Sequence, residues 1–166
     1  FGASISWSRE SEPLETGGGI RRALPQLGSE PFLLINADIW TDFPLETLVD
    51  KSWSEEIEAH LVLVPNPTHH SEGDFTLDAH QVIGYPELGD SSYTFGGLSV
   101  MRPEIFAMYS SASQKFPLRD VLAGGIRMGY VQGEVFRGVW WDVGTLERLE
   151  ALNSLVTDQP GKKAAS

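Results

Sequence analysis

Pro31-Phe32-Leu33-Leu34-Ile35-Asn36-Ala37-Asp38 decides the fold class. An apolar run closed by polar residues predicts a strand buried on both faces, as in a sheet with helices on either side. Leu61-Val62-Leu63-Val64, stopped by Pro65 and Pro67, predicts a second such strand. Around these two, strands and helices intermix. Ile5 and Trp7 alternate with serines and predict a short half-buried strand over 4–8. Ile20, Ala23, Leu24 and Leu27 are spaced for a short helix stopped near Gly28, after a loop ending in Gly17-Gly18-Gly19. Thr41 to Val49 reads as helical, and 53–58 as a solvated stretch. Phe75–Leu77 and Gln81–Gly84 flank Asp78-Ala79-His80 as a hairpin. Strands are expected over 93–101, 131–136 and 140–143, and helices over 102–109, 117–128 and 145–155. Leu146, Leu149, Leu152 and Leu155 mark the intended buried face of the last helix. The mixture predicts an α/β fold. One domain over 1–156 is expected, followed by a polar tail over 157–166.

Composition narrows the function classes. With 12 basic and 23 acidic residues the formal charge is −11. That disfavours nucleic acid and anionic membrane, both of which need basic patches. A small phosphorylated ligand needs only a local metal or a few N–H groups, so it stays open. Five Trp and eight Phe argue for a packed core. The absence of cysteine excludes disulfides and thiolate metal sites, and suits a cytoplasmic location. No run reaches the length of a membrane-spanning helix.

Several segments could carry chemistry. Asp38 stands just past the carboxyl end of a buried strand, where open α/β sheets bind ligands. A carboxylate there can hold Mg²⁺ while substrate phosphates complete the shell, or it can simply cap a turn. Asp142 stands at another strand end, in Trp141-Asp142-Val143-Gly144-Thr145. Thr145 can cap the helix that follows, and Glu147 suits its first turn. Asp142 lies among aromatics, where an unpaired carboxylate is costly; a metal would relieve that cost, and so would a nearby Arg. The glycine triplet can expose N–H groups to a ligand or be a plain turn. Asn66-Pro67-Thr68-His69-His70 reads as a surface loop, since paired histidines alone are weak evidence of metal.

Taken in order, Glu15-Thr16-Gly17-Gly18-Gly19-Ile20, Leu33-Leu34-Ile35-Asn36-Ala37-Asp38, Phe95-Gly96-Gly97-Leu98 and Trp141-Asp142-Val143-Gly144-Thr145 resemble the sugar-1-phosphate nucleotidyltransferases. The resemblance runs from Phe1 to about Asn153 and includes Arg102-Pro103-Glu104-Ile105-Phe106 and Lys115-Phe116-Pro117-Leu118. It implies a Rossmann-like, mixed but mostly parallel sheet. It also implies transfer of a nucleotidyl group from UTP or GTP to a sugar 1-phosphate, with release of pyrophosphate. Asp38 and Asp142 would be the catalytic pair and would hold Mg²⁺. Glu15, Thr16, Gly17 and Gly18 would contact the nucleotide, and Asn66 and Gly97 the sugar.

The family's opening Gly-x-Gly-x-Arg loop and its Pro-Lys-Pro do not occur in the sequence. The expectation is therefore a chain truncated at its N-terminus and impaired as an enzyme on its own. A non-catalytic binding or assembly module is the alternative. A metal-dependent glycosyltransferase is disfavoured, because Asp38 is followed by Ile39-Trp40 and not by x-Asp. Loss of the first strands would leave the edge of 32–35 unpaired. The expectation there is a homo-oligomer, or a segment 1–8 folded over that edge.

Overall fold

The computed structural model describes residues 2–49, 54–87, 89–107, 109–110 and 113–157. Tail residues 158–166 and residues 50–53 lie outside them. The order is α1 (Glu15–Leu27), β1 (Phe32–Ile35), β2 (Ile39–Thr41), α2 (Glu46–Val49), β3 (Ala59–Val64), β4 (Phe75–Asp78), β5 (Gln81–Gly84), β6 (Ser92–Met101), α3 (Glu104–Ala107), α4 (Leu118–Met128), β7 (Val131–Val135), β8 (Trp140–Asp142) and α5 (Leu146–Thr157).

Six strands form one sheet in the order β1-β6-β3-β7-β5-β4, and β2 pairs with β8 in a separate two-stranded ladder. The α/β class holds, and the sheet is mixed. Its pairings are not mostly parallel: β3–β7 is parallel and the others are antiparallel. The reason is the long β6, which runs between β1 and β3 against both. Strand β6 serves its neighbours in turn. Ser92 and Tyr93 pair with β4, Leu98 to Met101 pair with β1, and β3 runs along Thr94 to Met101.

Strand β3 is the centre of the core. All six of its residues are buried. Ala59, Leu61 and Leu63 point into a large cluster with Ile105, Val121, Leu122 and Val131, under α3 and α4. Val62 points the other way, against Phe43, Leu48 and Leu98. The period-2 alternation of a strand thus feeds two apolar layers.

Further sequence expectations need correction. Strand β1 is half-buried, with Ile35 45% exposed. Among the described residues β1 pairs only with β6, so its outer edge is open. Residues 4–8 form no strand and do not cover that edge; Ile5 and Trp7 are exposed. An alternating pattern makes a strand only where a partner edge is in reach. Thr41 belongs to β2, and the helix expected from it shrinks to Glu46–Val49 after Pro44. On α5 only Leu152 is buried, while Leu146, Leu149 and Leu155 are exposed. Leucines every third residue fall back by about 60° per step on a helix of 3.6 residues per turn, so four of them spread over half its circumference.

The glycine triplet lies inside α1, not in a loop before it. Its reason is close packing. A Cβ on Gly18 would stand 2.2 Å from the carbonyl oxygen of Gln114, and one on Gly17 would meet the Phe116 ring at 2.7 Å. The Gly18 N–H donates to the Phe116 carbonyl (3.1 Å). Helix propensity favours Ala at any helical Gly by about 1 kcal/mol. At Gly18 the clash with backbone outweighs that gain, so Gly18→Ala is expected to destabilise by ~1–3 kcal/mol. In α4, Gly124 has open space around the same position. Gly124→Ala is expected to stabilise by ~0.5–1 kcal/mol, and urea denaturation of the two variants checks both signs.

Candidate functional site

The short β2–β8 ladder builds the site. Ile39 pairs with Asp142, Trp40 with Trp141 and Thr41 with Trp140. Backbone bonds lengthen it at both ends, from the Val143 N–H to the Asp38 carbonyl (2.8 Å) and from the Asp42 N–H to the Val139 carbonyl (3.1 Å). The indole N–H of Trp140 donates to the Gly96 carbonyl (2.8 Å) and ties the ladder to β6. One residue on, Gly97 has φ of +75°, a region that glycine enters without strain. The β-carbon of Asn36 and a methyl of Ile39 lie 3.0 Å from where a Gly97 side chain would begin.

The ladder sets Asp38 beside Asp142. Asp38 Oδ2 and Asp142 Oδ1 each lie 3.1 Å from the place a Cβ on Gly144 would occupy. The two oxygens are therefore no more than about 6 Å apart; to share one Mg²⁺ at about 2.1 Å from each they would stand within about 4 Å of one another. They differ in their partners. Asp142 is half-buried and engaged: its Oδ1 accepts the Gly144 N–H (2.8 Å), and its Oδ2 takes Arg148 Nη1 at 2.9 Å, with His69 Nε2 at 3.5 Å. The sequence left a metal or an arginine to relieve this carboxylate; the structure supplies Arg148, from the first turn of α5. Thr145 caps that turn, its Oγ1 accepting the Arg148 N–H (3.3 Å). Asp38 is exposed, and no described residue hydrogen-bonds or ion-pairs with its carboxylate.

Both aspartates line a cavity of about 470 Å³. Asn36, Gly97, Trp140, His69, His70, Asp74, Tyr85 and Arg119 also line it. The loop read as mere surface thus brings both histidines to the site. His70 Nε2 lies 3.0 Å from Asp74 Oδ1, and Asp74 Oδ2 accepts the Phe95 N–H (2.8 Å). Burial raises the pKa of the Tyr85 phenol above its ordinary value, against the pull of the Arg119 charge. Sequence reasoning missed His69, His70, Asp74 and Arg119. The only signal was the adjacency of His69 and His70, which by itself is weak evidence.

Of the other expected residues, Gly97 reaches the cavity, while Glu15, Thr16, Gly17, Gly18 and Asn66 do not line it. Gly18 borders a separate cleft with Arg21, Arg22 and Gln114. Glu15 is exposed, 3.9 Å from Lys115 Nζ. Asn66 is a brace for the histidine loop: its amide donates to the Ser71 carbonyl (3.1 Å) and Ser92 Oγ (2.9 Å), and its oxygen accepts from Thr94 Oγ1 (3.0 Å). Among the described residues no group of three or more His, Cys, Asp or Glu gathers as a metal site. A cation here would rest on two carboxylates and its ligands' own oxygens, which is how Mg²⁺ is often held.

Comparison with known proteins places the fold in a family. The chain belongs to the sugar-1-phosphate nucleotidyltransferase family. It is 40% identical over 158 residues to the N-acetylmuramate alpha-1-phosphate uridylyltransferase of Neisseria meningitidis serogroup B, covering 93% of this chain and 68% of that protein. It is 25% identical to the mannose-1-phosphate guanyltransferase beta-A of Xenopus laevis, over 87% of this chain and 42% of that one. The crystal structure of HddC from Yersinia pseudotuberculosis shares the fold, with TM-score 0.69 and 21% identity over 89% of this chain and 64% of that one. The chain thus spans about two fifths of the mannose-1-phosphate relative and just under two thirds of the solved structure. No family model matches it.

Asn66→Ala removes three hydrogen bonds from the loop that carries His69 and His70. A loss of ~1–3 kcal/mol is expected, mostly for the stranded Thr94 hydroxyl, and urea denaturation measures it.

Proposed function

We propose that this chain carries the metal and acceptor side of an enzyme that transfers a nucleotidyl group to a sugar 1-phosphate. The observation behind the reading is the convergence of Asp38 and Asp142 over Gly144, with Asp38 left unpaired. In the reaction a phosphate oxygen of the sugar 1-phosphate bonds to the α-phosphorus of the nucleoside triphosphate, and the bond to the β-phosphate oxygen breaks. Mg²⁺ bound at the two carboxylates would draw the phosphates together and offset their charge. Arg148 and the Gly144 N–H hold Asp142 in one orientation. Gly144, having no side chain, leaves the space between the carboxylates open. Gly97 keeps the β6 wall of the cavity low enough for a sugar ring to lie against it. Asn66 acts behind the site, through the loop it braces.

The names of the two relatives point to different acceptors, one an acid sugar and one a neutral hexose. The open outer edge of β1 also favours pairing with a second copy. Light scattering on dilute protein is expected to show a dimer or larger species, and a monodisperse monomer would count against it.

Isothermal titration of UTP in the presence and absence of Mg²⁺ tests the main reading. Binding is expected to require Mg²⁺. Asp38→Asn and Asp142→Asn are each expected to weaken it by at least the ~10- to 100-fold seen for outer-shell partners of metal ligands. Binding that ignores both the metal and the two substitutions, in variants with unchanged circular dichroism, would sink the assignment.

A further inference from the structure

We propose that Arg119 selects acceptor sugars that carry a carboxylate in addition to the 1-phosphate. The inference rests on the sugar-1-phosphate reading above and concerns the part of the cavity away from the aspartates. Arg119 stands in the first turn of α4. It lines both the 470 Å³ cavity and an adjoining cleft of about 520 Å³. Its guanidinium carbon lies 4.1 Å from the centroid of the Tyr85 ring. The Tyr85 hydroxyl donates to the Arg119 carbonyl (2.8 Å), and the Tyr85 ring packs on the buried Phe75 at 5.5 Å. The arginine is thus held against the Tyr85 ring and hydrogen-bonded to its phenol, and no described carboxylate engages the rest of its donor edge. A stacked guanidinium keeps the planar fork that takes a carboxylate by two parallel bonds.

The two imidazoles that line the cavity already face aspartates, and so does Arg148 behind it. His69 and Arg148 lie on Asp142, and His70 lies on Asp74. Arg119 has no carboxylate within ion-pair reach among the described residues. The 1-phosphate of an acceptor belongs at the Asp38–Asp142 end, where a cation would bridge it. A neutral hexose 1-phosphate then brings nothing anionic to Arg119, whereas a sugar acid does. The adjoining cleft contains Glu72, Glu87 and Asp90, so a carboxylate that strays past Arg119 meets like charge. That sets the anion at the boundary between the two spaces. The triphosphate of the nucleotide is the other anion that could reach it, and the test separates the two.

The experiment is isothermal titration of the chain with Mg²⁺ and three probes: N-acetylmuramate 1-phosphate, N-acetylglucosamine 1-phosphate, and UTP. The two sugars differ only in the 3-O-lactyl group, which carries the carboxylate. The wild-type chain is expected to prefer the acid sugar. Arg119→Gln is expected to weaken the acid sugar by about tenfold or more and the other two probes by less than about twofold. Arg119→Lys keeps the charge without the fork and is expected to fall between. Arg119 is exposed, and thermal denaturation of each variant confirms that it still folds. Equal losses for both sugars, no preference in the wild-type chain, or a loss confined to UTP would overturn this proposal and leave the nucleotidyltransferase reading standing. Failure of the wild-type chain to bind any of the three overturns that reading and this proposal with it.

Discussion

Three residue pairs, Ile39–Asp142, Trp40–Trp141 and Thr41–Trp140, hold together everything that gives this chain a site. They join two strand ends about a hundred residues apart in sequence. A two-stranded ribbon is marginal by itself in water, since each net hydrogen bond is worth only about 1 kcal/mol against the entropy of ordering. The ladder persists because it is fastened to larger bodies. Asp38 and Ile39 follow directly from β1, Trp140 is bonded to β6, and Thr145 starts α5 just beyond. Each fastening also places a functional group. The route from β1 delivers Asp38, the indole of Trp140 closes one side of the cavity, and the start of α5 brings Arg148 to Asp142.

The electrostatics that follow are unequal. At their greatest possible separation of about 6 Å the two carboxylates repel by roughly 1 kcal/mol in water and about 3 kcal/mol at an effective dielectric of 20. Exposure of Asp38 favours the smaller figure, and Arg148 already offsets the charge of Asp142. The fold therefore does not depend on a cation to hold the pair. What favours a cation is the asymmetry. One carboxylate is oriented by protein donors, and the other stands free beside it with room between.

The sequence shows most of this unevenly, and the errors share one cause. β3, β6, α4 and the 75–84 hairpin were legible because their patterns are local and their packing agrees with them. β1 was read as doubly buried, since its run of apolar residues is the same whether or not a neighbour covers it. The glycine triplet reads as a loop before a helix, open to a ligand or a plain turn, and the structure puts it inside α1. Its real constraint, the carbonyl of Gln114, lies almost a hundred residues away. β2 was missed because three residues, Ile39-Trp40-Thr41, carry no periodicity of their own and form a strand only against Trp140–Asp142. Asp38 and Asp142 stand out in the sequence by their places at strand ends, and the resemblance makes them a pair. Their distance depends on a ladder that no local pattern announces. His69 and His70 were set aside for a sound reason, adjacent histidines being weak evidence. It is the brace at Asn66, together with Asp74, that turns a surface loop into a wall of the cavity.

The net charge of −11 is the remaining tension, since every ligand proposed for the site is an anion. Screening resolves it. At physiological ionic strength the Debye length is about 8 Å, so the acidic surface repels an approaching phosphate only weakly beyond that range. Within it the site's own groups decide. Around the cavity Asp142 is matched by Arg148 and His69 and Asp74 by His70, while among the described residues Asp38 is left for a cation and Arg119 for an anion. An acidic protein can therefore accept an anionic ligand at one place without attracting polyanions elsewhere. That arrangement suits a small phosphorylated substrate and disfavours nucleic acid, which needs a continuous basic face to release its counterions.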